Sequence, residues 1–292
     1  MKNKFELYDL LLDNVPSNAS KIQEIVIGLT WTYCQTEDIG LCMTADTRSR
    51  TLPWSGQLTA FSVQEITNWI RDWDPIKSTI ALATINSFLK PDVIGEYKTV
   101  PVTDPEYANL SIFHYFLPAI KNKKSVVIGR YPGLETIQHQ CNMKVIELNP
   151  SINDYPAAAS EFLIAEADWV FVTGTSIANK TFPRILELAK YANVVLMGPS
   201  VPWLKEFASF GVDFLAGTVI NNNLQLKRVV SEGGGVNLFN NAVQYAVCDL
   251  GENKLVDTKK KIQDVVNQRE SLNRGNAGEH EFRVQEIDSV VI

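Results

Sequence analysis

The stretch WVFVTGTSIANKT, residues 169–181, passes within a few positions from sheet-core side chains to hydroxyls and amides. Trp169 to Val172 is a short continuous apolar run, the mark of a parallel strand covered on both faces. Four more runs share that character: SVVIG (125–129), KVIEL (144–148), VVLMG (194–198) and VDFLAG (212–217). Helical patterns lie between them, for example Phe182 to Tyr191. Strand and helix in alternation predict a Rossmann-like, doubly wound parallel sheet.

The first hundred residues have another rhythm. Phe5, Tyr8, Leu11, Leu12 and Val15 fall at helical spacing. Ile25, Ile27, Leu29, Trp31 and Tyr33 alternate as one half-buried strand, and Ile39, Leu41, Met43 and Ala45 as a second. Thr36-Glu37-Asp38 between them predicts a hairpin, across which Cys34 and Cys42 could face each other, although buried free thiols are the commoner case. Ser62-Val63-Gln64-Glu65 reads as a capping box, and a further helix is expected from Ile76 to Lys90, stopped by Pro91. The chain therefore divides into an α+β domain (1–100), an α/β domain (101–258) and a polar tail (259–292) carrying KKK at 259–261.

Composition narrows the function. The chain has 292 residues, 45% of them hydrophobic and 21% charged, with a formal charge of −6. That balance fits a globular core and argues against a nucleic-acid partner, which would show a basic stripe. No segment has the roughly 18 consecutive apolar residues needed to span a bilayer, and the N-terminus does not read as a secretory signal. The expected location is the cytoplasm, without a membrane partner. Four cysteines include no CxxC pair, and three histidines are scattered, so no zinc spacing exists.

In open parallel sheets ligands bind beyond the carboxyl ends of the strands, and those ends carry the unusual residues. Gly129-Arg130-Tyr131-Pro132-Gly133 follows the first strand. Its glycines resemble a dinucleotide turn, but the full GxGxxG spacing is absent and Pro132 removes an amide donor. Glu147 stands 18 residues after Gly129, where an acid can grip a ribose hydroxyl; a surface carboxylate explains it equally. Thr173, Gly174, Thr175 and Ser176 follow the third strand, with Asn179 and Thr181 one turn on. Gly198-Pro199-Ser200 follows the fourth. Thr175, Ser176 and Ser200 are natural N-caps, yet a helix N-terminus flanked by hydroxyls is also an anion site, so capping and ligand cradle both stay open. Arg130, with Lys180 behind it, is the basic candidate for a carboxylate or phosphate. Asn86, in ALATINSFL, is either a satisfied core amide or a group facing the second half. Gly233-Gly234-Gly235 reads as a plain turn. No catalytic triad emerges, and whether the chain is an enzyme stays open.

Together TGTSIANKT, MGPSVPW, FGVDFLAG, VVIGRYPG, IELNP and ALATINSFL resemble segments of domain-of-unknown-function family 364, the "putative heavy-metal chelation" domain. The resemblance covers most of residues 1–240. It implies an enolase-N-terminal-like domain followed by a Rossmann-like domain, with a shared cleft formed by Asn86, Gly129, Glu147, Thr173, Gly174, Thr175, Asn179, Thr181, Gly198, Pro199 and Ser200. It also implies a small-molecule, metal-ion or metal-complex ligand, with Glu147 the sole metal-ligand candidate; position 130 is arginine where many relatives have histidine. Helix N-termini and Arg130 favour anions while Glu147 favours a cation, and a metal complex carrying negative charge reconciles the two. The other readings are a transferase or oxidoreductase using a nucleotide or S-adenosyl cofactor, and a non-catalytic, homo-oligomeric partner protein presenting Trp54, Trp69, Trp73 or Trp203.

Overall fold

The structure, a computed structural model, describes residues 5–47, 51–95, 97–104, 106–138 and 140–251. The tail expected from residue 259, with His139 and His280, lies outside the described residues. The described residues up to Leu250 belong to one compact unit.

Helix α1 (Glu6–Asp13) buries Leu7, Tyr8 and Leu11. Strands β1 (Glu24–Ile27), β2 (Trp31–Gln35) and β3 (Ile39–Met43) then form an antiparallel meander. The alternation over 25–33 predicts one strand, but the chain doubles back inside it. The Gly28 amide donates to the Trp31 carbonyl, and Ile25 pairs with Cys34. A two-residue loop pairs odd with even positions, so Ile25 and Ile27 share a face with Cys34 while Trp31 and Tyr33 lie on the other; apolar residues on both faces let the alternation in sequence run through the turn unmarked. Cys34 lies opposite Gly40, and Cys42 opposite Thr32. The two thiols are therefore not paired across the hairpin; both are free and buried.

Helix α2 (Val63–Asn68) starts on the expected capping box: Ser62 Oγ accepts from the Glu65 amide while Glu65 Oε2 accepts from the Ser62 amide. Helix α3 (Pro75–Asn86) is almost wholly buried. Asp74 caps it, accepting from the amides of Ile76 and Lys77. It ends at Asn86 rather than Lys90, where the Ser87 hydroxyl takes the Thr84 carbonyl and competes with the helical ladder.

Beyond these come β4 (Thr99–Val102), α4 (Ser111–Ile120), β5 (Lys124–Ile128), α5 (Glu135–Gln138), β6 (Asn142–Glu147), β7 (Tyr155–Pro156) and α6 (Ser160–Leu163). Then follow β8 (Trp169–Thr173), α7 (Thr175–Ala178), α8 (Phe182–Leu188), β9 (Asn193–Met197), β10 (Phe214–Ala216), β11 (Thr218–Ile220), α9 (Asn223–Ser231) and β12 (Val243–Asp249). All five apolar runs are strands. β7, β6, β5, β8, β9 and β10 lie parallel in that order. β12 closes the sheet antiparallel to β10 and β11, with β4 along its other side. The sheet is thus mixed, not wholly parallel. α9 buries Leu226, Val229 and Val230 against Trp31 and Tyr33 of β2 rather than carrying the chain back across the sheet, and the last strand enters from the opposite end.

Successive side chains of a buried strand serve opposite faces. Val170, Val172 and Leu196 pack with Leu7, Ile66 and Ile80, so one core runs without a break from α1–α3 into the sheet. Phe171, Val195 and Met197 pack with Phe113 and Phe116 of α4 on the other face.

Gly40 is where β3 meets α3. A Cβ there would lie 2.1 Å from the Ala83 carbonyl oxygen and 2.2 Å from the Ser87 nitrogen, both backbone atoms. Gly40→Ala is expected to lose about 3 kcal/mol, the upper part of the range for overpacked cores, read as a lower midpoint in urea unfolding. An unchanged midpoint would show that β3 can lift from the helix.

Candidate functional site

From β5 the chain runs outward to β6 and β7, then returns through α6 to β8 on the other side of β5. The winding reverses between β5 and β8, and at such a switch point the departing connections part and open a crevice. Gly129, at the end of β5, has φ 93°, and a Cβ there would lie 3.1 Å from Thr173 Cγ2 at the end of β8. Gly198, at the end of β9, has φ 106°, and the Tyr131 hydroxyl lies 3.2 Å from where its Cβ would be. The tips are tied sideways: the Gly129 amide donates to Ile146, Gly174 to Met197 and Gly198 to Ala216. Gly129, Thr173, Gly174 and Gly198 are therefore neighbours, as their positions after the strands predict.

The hydroxyls behave differently from the capping expectation. Gly174 is the N-cap of α7 and makes no side-chain cap bond. Ser176, fully buried, donates back to the Thr173 carbonyl at 2.7 Å. Thr175 Oγ1 lies 3.0 Å from Thr173 Oγ1. The helix starts directly on the strand end, so no residue with a side chain is left in the capping position. Asn179 is exposed; its Oδ1 accepts from the amide and hydroxyl of Thr181 in a local turn before α8. That explains both residues without a ligand. α7 is a single turn of four residues, too short to offer an anion the dipole of a full helix.

Arg130 is not free for an anion. Its Nε donates to Asp154 Oδ1 at 2.7 Å, its Nη2 bonds the same oxygen, and Glu135 lies 3.7 Å from Nη1. The Asp154 side chain is 1% exposed, and the guanidinium holds its carboxyl well below the usual range, at about 2. Glu147 sits between backbone amides: Oε2 accepts from Arg130 N at 2.8 Å and Oε1 from Leu148 N at 2.7 Å. Arg130 is thus paired with carboxylates, and Glu147 takes two backbone amides at the ends of β5 and β6.

On the other face of the tips, α1–α3 and the meander are riveted to the sheet. Asn86 Nδ2 donates to the carbonyls of Leu41, at 2.8 Å, and Ser200, at 3.1 Å. Its Oδ1 is buried without a partner. Ser200, expected as a cap, precedes no α-helix; its Oγ accepts from the Met43 amide at 2.8 Å. Pro199 beside it is buried. A Cβ on Gly174 would lie 2.7 Å from the Ser200 carbonyl carbon, so glycine lets the two loops touch.

Among the described residues no group of three or more His, Cys, Asp or Glu side chains could hold a metal ion. Burial pushes the thiols of Cys34 and Cys42 up to about 12, keeping them as thiols rather than the thiolates soft metals need. A bare heavy-metal ion therefore does not fit these residues. A cavity of about 190 Å³ is lined by Asn14, by Phe88 and Leu89 after α3, and by Trp203 and Leu204 in the loop after β9, among others, and by none of the residues named for the cleft. Among the described residues no helix is long and apolar enough to cross a membrane. Of the tryptophans read as an interface, Trp73 is exposed, whereas Trp54 and Trp203 are in the core.

A family profile described as "putative heavy-metal chelation" matches residues 111–249, and a second with the same description matches residues 8–89. A crystal structure from Desulfitobacterium hafniense, titled a protein of unknown function from family 364, superposes with a TM-score of 0.75 at 26% identity, covering 85% of this chain and all of that one. A Pyrococcus horikoshii structure of the same family gives 0.67 at 19% identity, covering 84% and 99%, and shows the fold alone. An uncharacterised protein of Methanocaldococcus jannaschii is 27% identical over 54% of this chain and 61% of its own length, so this chain spans under two thirds of that relative.

Lys180 is the residue whose role changes most. It has φ 69°, left-handed for a side chain that rarely adopts it, and it turns inward. Nζ donates to Ser78 Oγ at 2.7 Å and to the Ala178 carbonyl at 2.8 Å, and lies 5.5 Å from the Tyr8 ring centroid. Burial lowers its pKa to about 8, against weaker opposing pulls from Asp72 and Cys42. The folded chain therefore releases a proton that the unfolded chain keeps up to its ordinary 10.5. This lysine's contribution should make stability rise between about pH 8 and 10.5. Lys180→Met is expected to flatten that segment of a urea-midpoint-versus-pH profile; a profile identical to wild type would place the ammonium in solvent.

Proposed function

The chain belongs to domain-of-unknown-function family 364, described as "putative heavy-metal chelation", and from that membership we propose that it binds a small polar ligand carrying its own metal, at the carboxyl ends of β5, β8 and β9. The observation that supports this reading most is the reversal of winding between β5 and β8, the position at which open parallel sheets bind ligands. There Gly129 and Gly198 remove side chains on either side of the Thr173 hydroxyl.

The chemistry of the residues narrows the ligand. Arg130 is spent on Asp154 and Glu135, while Glu147 brings a carboxylate with one lone pair per oxygen still unused after its amide bonds. One carboxylate and neutral oxygens do not enclose a metal by themselves. The metal is therefore cargo, held mainly by the ligand's own donors, with Glu147 completing its shell or balancing its charge. Asn86 and Ser200 hold the roof of the site, and Asn86 Oδ1 offers an unused acceptor.

A second reading has one observation in its favour. Glu147 stands at the end of β6, beside the glycine loop after β5 and bonded to the Arg130 amide, where an acid can receive ribose hydroxyls. A dinucleotide fits less well, because α5 is four residues long and begins with Glu135, which repels a pyrophosphate. An S-adenosyl cofactor, with no phosphate, suits the same loop.

Native mass spectrometry and elemental analysis of the full chain purified without chelators separate the two. A metal and an added small-molecule mass are expected together, both reduced several-fold in Glu147→Ala and in Thr173→Val. Adenosyl-compound masses without metal would favour the second reading. Apoprotein of the bare chain mass, unresponsive to S-adenosylmethionine and to metal chelates in thermal shift, would overturn both.

A further inference from the structure

Two phenols near the crevice have no role in the reading above. Tyr245, in β12, is 2% exposed, and its hydroxyl finds no hydrogen-bond partner. Its ring stacks on Phe239 with centroids 4.8 Å apart, which fixes its direction. In the ladder Tyr245 stands opposite Thr218, just past the end of β10, so it belongs to the same carboxyl edge of the sheet as Gly198. Tyr131 packs on that face too, edge-on to Phe113 at 5.3 Å. Its hydroxyl makes a long 3.5 Å bond to the Met197 carbonyl and also bonds the Thr173 side chain, so it shares the tips with that threonine.

A buried hydroxyl without a partner loses the hydrogen bond it had with water, and native proteins keep few such groups without a reason. We propose that the hydroxyls of Tyr131 and Tyr245 form a subsite that donates to an uncharged carbonyl-type oxygen of the ligand. This rests on the crevice reading and names the ligand's chemistry at that end. The electrostatics select the class. Burial keeps both phenols protonated far above neutral pH, and the charge of Glu147 pushes Tyr131 the same way. They act as neutral donors in a region whose one nearby guanidinium is already paired. A carboxylate or phosphate would be buried there beside Glu147 without a compensating cation. An amide or keto oxygen meets the donors at no such cost.

Nicotinamide and nicotinate test the point, since they share a ring and a shape and differ in the charge of one group. Saturation-transfer NMR on the full chain is expected to show nicotinamide bound to wild type, at least fivefold weaker to Tyr245→Phe and Tyr131→Phe, with nicotinate giving no comparable signal. Tyr245→Phe should melt no lower than wild type, because the hydroxyl it removes is unpaired in the unliganded protein; a melting point several degrees lower would reveal a structural partner and overturn the proposal. Nicotinamide binding that survives Tyr245→Phe but is lost in Thr173→Val would overturn the phenol subsite and keep the crevice. Binding that survives both would remove both. Equal binding of nicotinate, or no nicotinamide signal with wild type, would overturn the assigned class.

Discussion

Everything at the strand tips depends on one carboxamide. Asn86 ends α3, reaches back to Leu41 of β3 and forward to Ser200 after β9, and so joins the helix, the meander and the parallel sheet at one point. The join is possible because two glycines let backbone touch backbone: Gly40 under α3 and Gly174 against Ser200. A side chain at either would hold the layers apart by more than a hydrogen bond can span. The Met43 amide, received by Ser200 Oγ, is the second stitch of the same seam. Tyr8 and Lys180 make a third further along, where Tyr8 donates to the Ile177 carbonyl and Lys180 to Ser78. Three polar seams over a continuous apolar core explain why the α+β and α/β halves form one compact unit.

That arrangement decides the charge of the crevice. A free arginine and a helix N-terminus would have made an anion site. The arginine instead serves the loop after β6, where Asp154 is held by Arg130 and by the amide and hydroxyl of Ser151. A nearly unexposed carboxylate needs such partners to stay ionised, so the guanidinium is committed to the fold before any ligand arrives. The crevice keeps neutral hydroxyls and Glu147. On the proposed reading, that polarity suits a ligand that brings positive charge or none.

The sequence made the parallel sheet legible because buried strands must be apolar on both faces, and five such runs stood between helical patterns. The capping box at Ser62 was legible because its chemistry is local. What could not be read was set by partners remote in the chain. The two-residue loop after Gly28 swaps the faces, but both faces carry apolar residues and the alternation in sequence continues, so one strand was read where two exist. Thr175, Ser176 and Ser200 have capping chemistry, but where a helix starts depends on the strand it follows. Arg130 looked available because Asp154 lies 24 residues away, in a loop with no pattern of its own. Tyr131 stood within a strand-end loop and could have been singled out for its hydroxyl. Tyr245 had no local signal, since a tyrosine in an apolar strand is ordinarily core.

Three described side chains keep buried polar atoms without partners: Asn86, Ser125 and Tyr245. An orphan alone does not mark a site, and their positions tell them apart. Ser125 lies near the start of β5, at the amino end of the parallel strands, where a doubly wound sheet has no crevice. Asn86 and Tyr245 lie at the carboxyl end, on opposite faces, one an acceptor beneath the α3 seam and the other a donor beside β10. A folded chain loses stability by holding either one unpaired. An acceptor and a donor on the two sides of one strand-tip row are what a molecule seated across those tips would use. The two defects have a common explanation if the ligand repairs both, and the lone serine at the far end has no part in it.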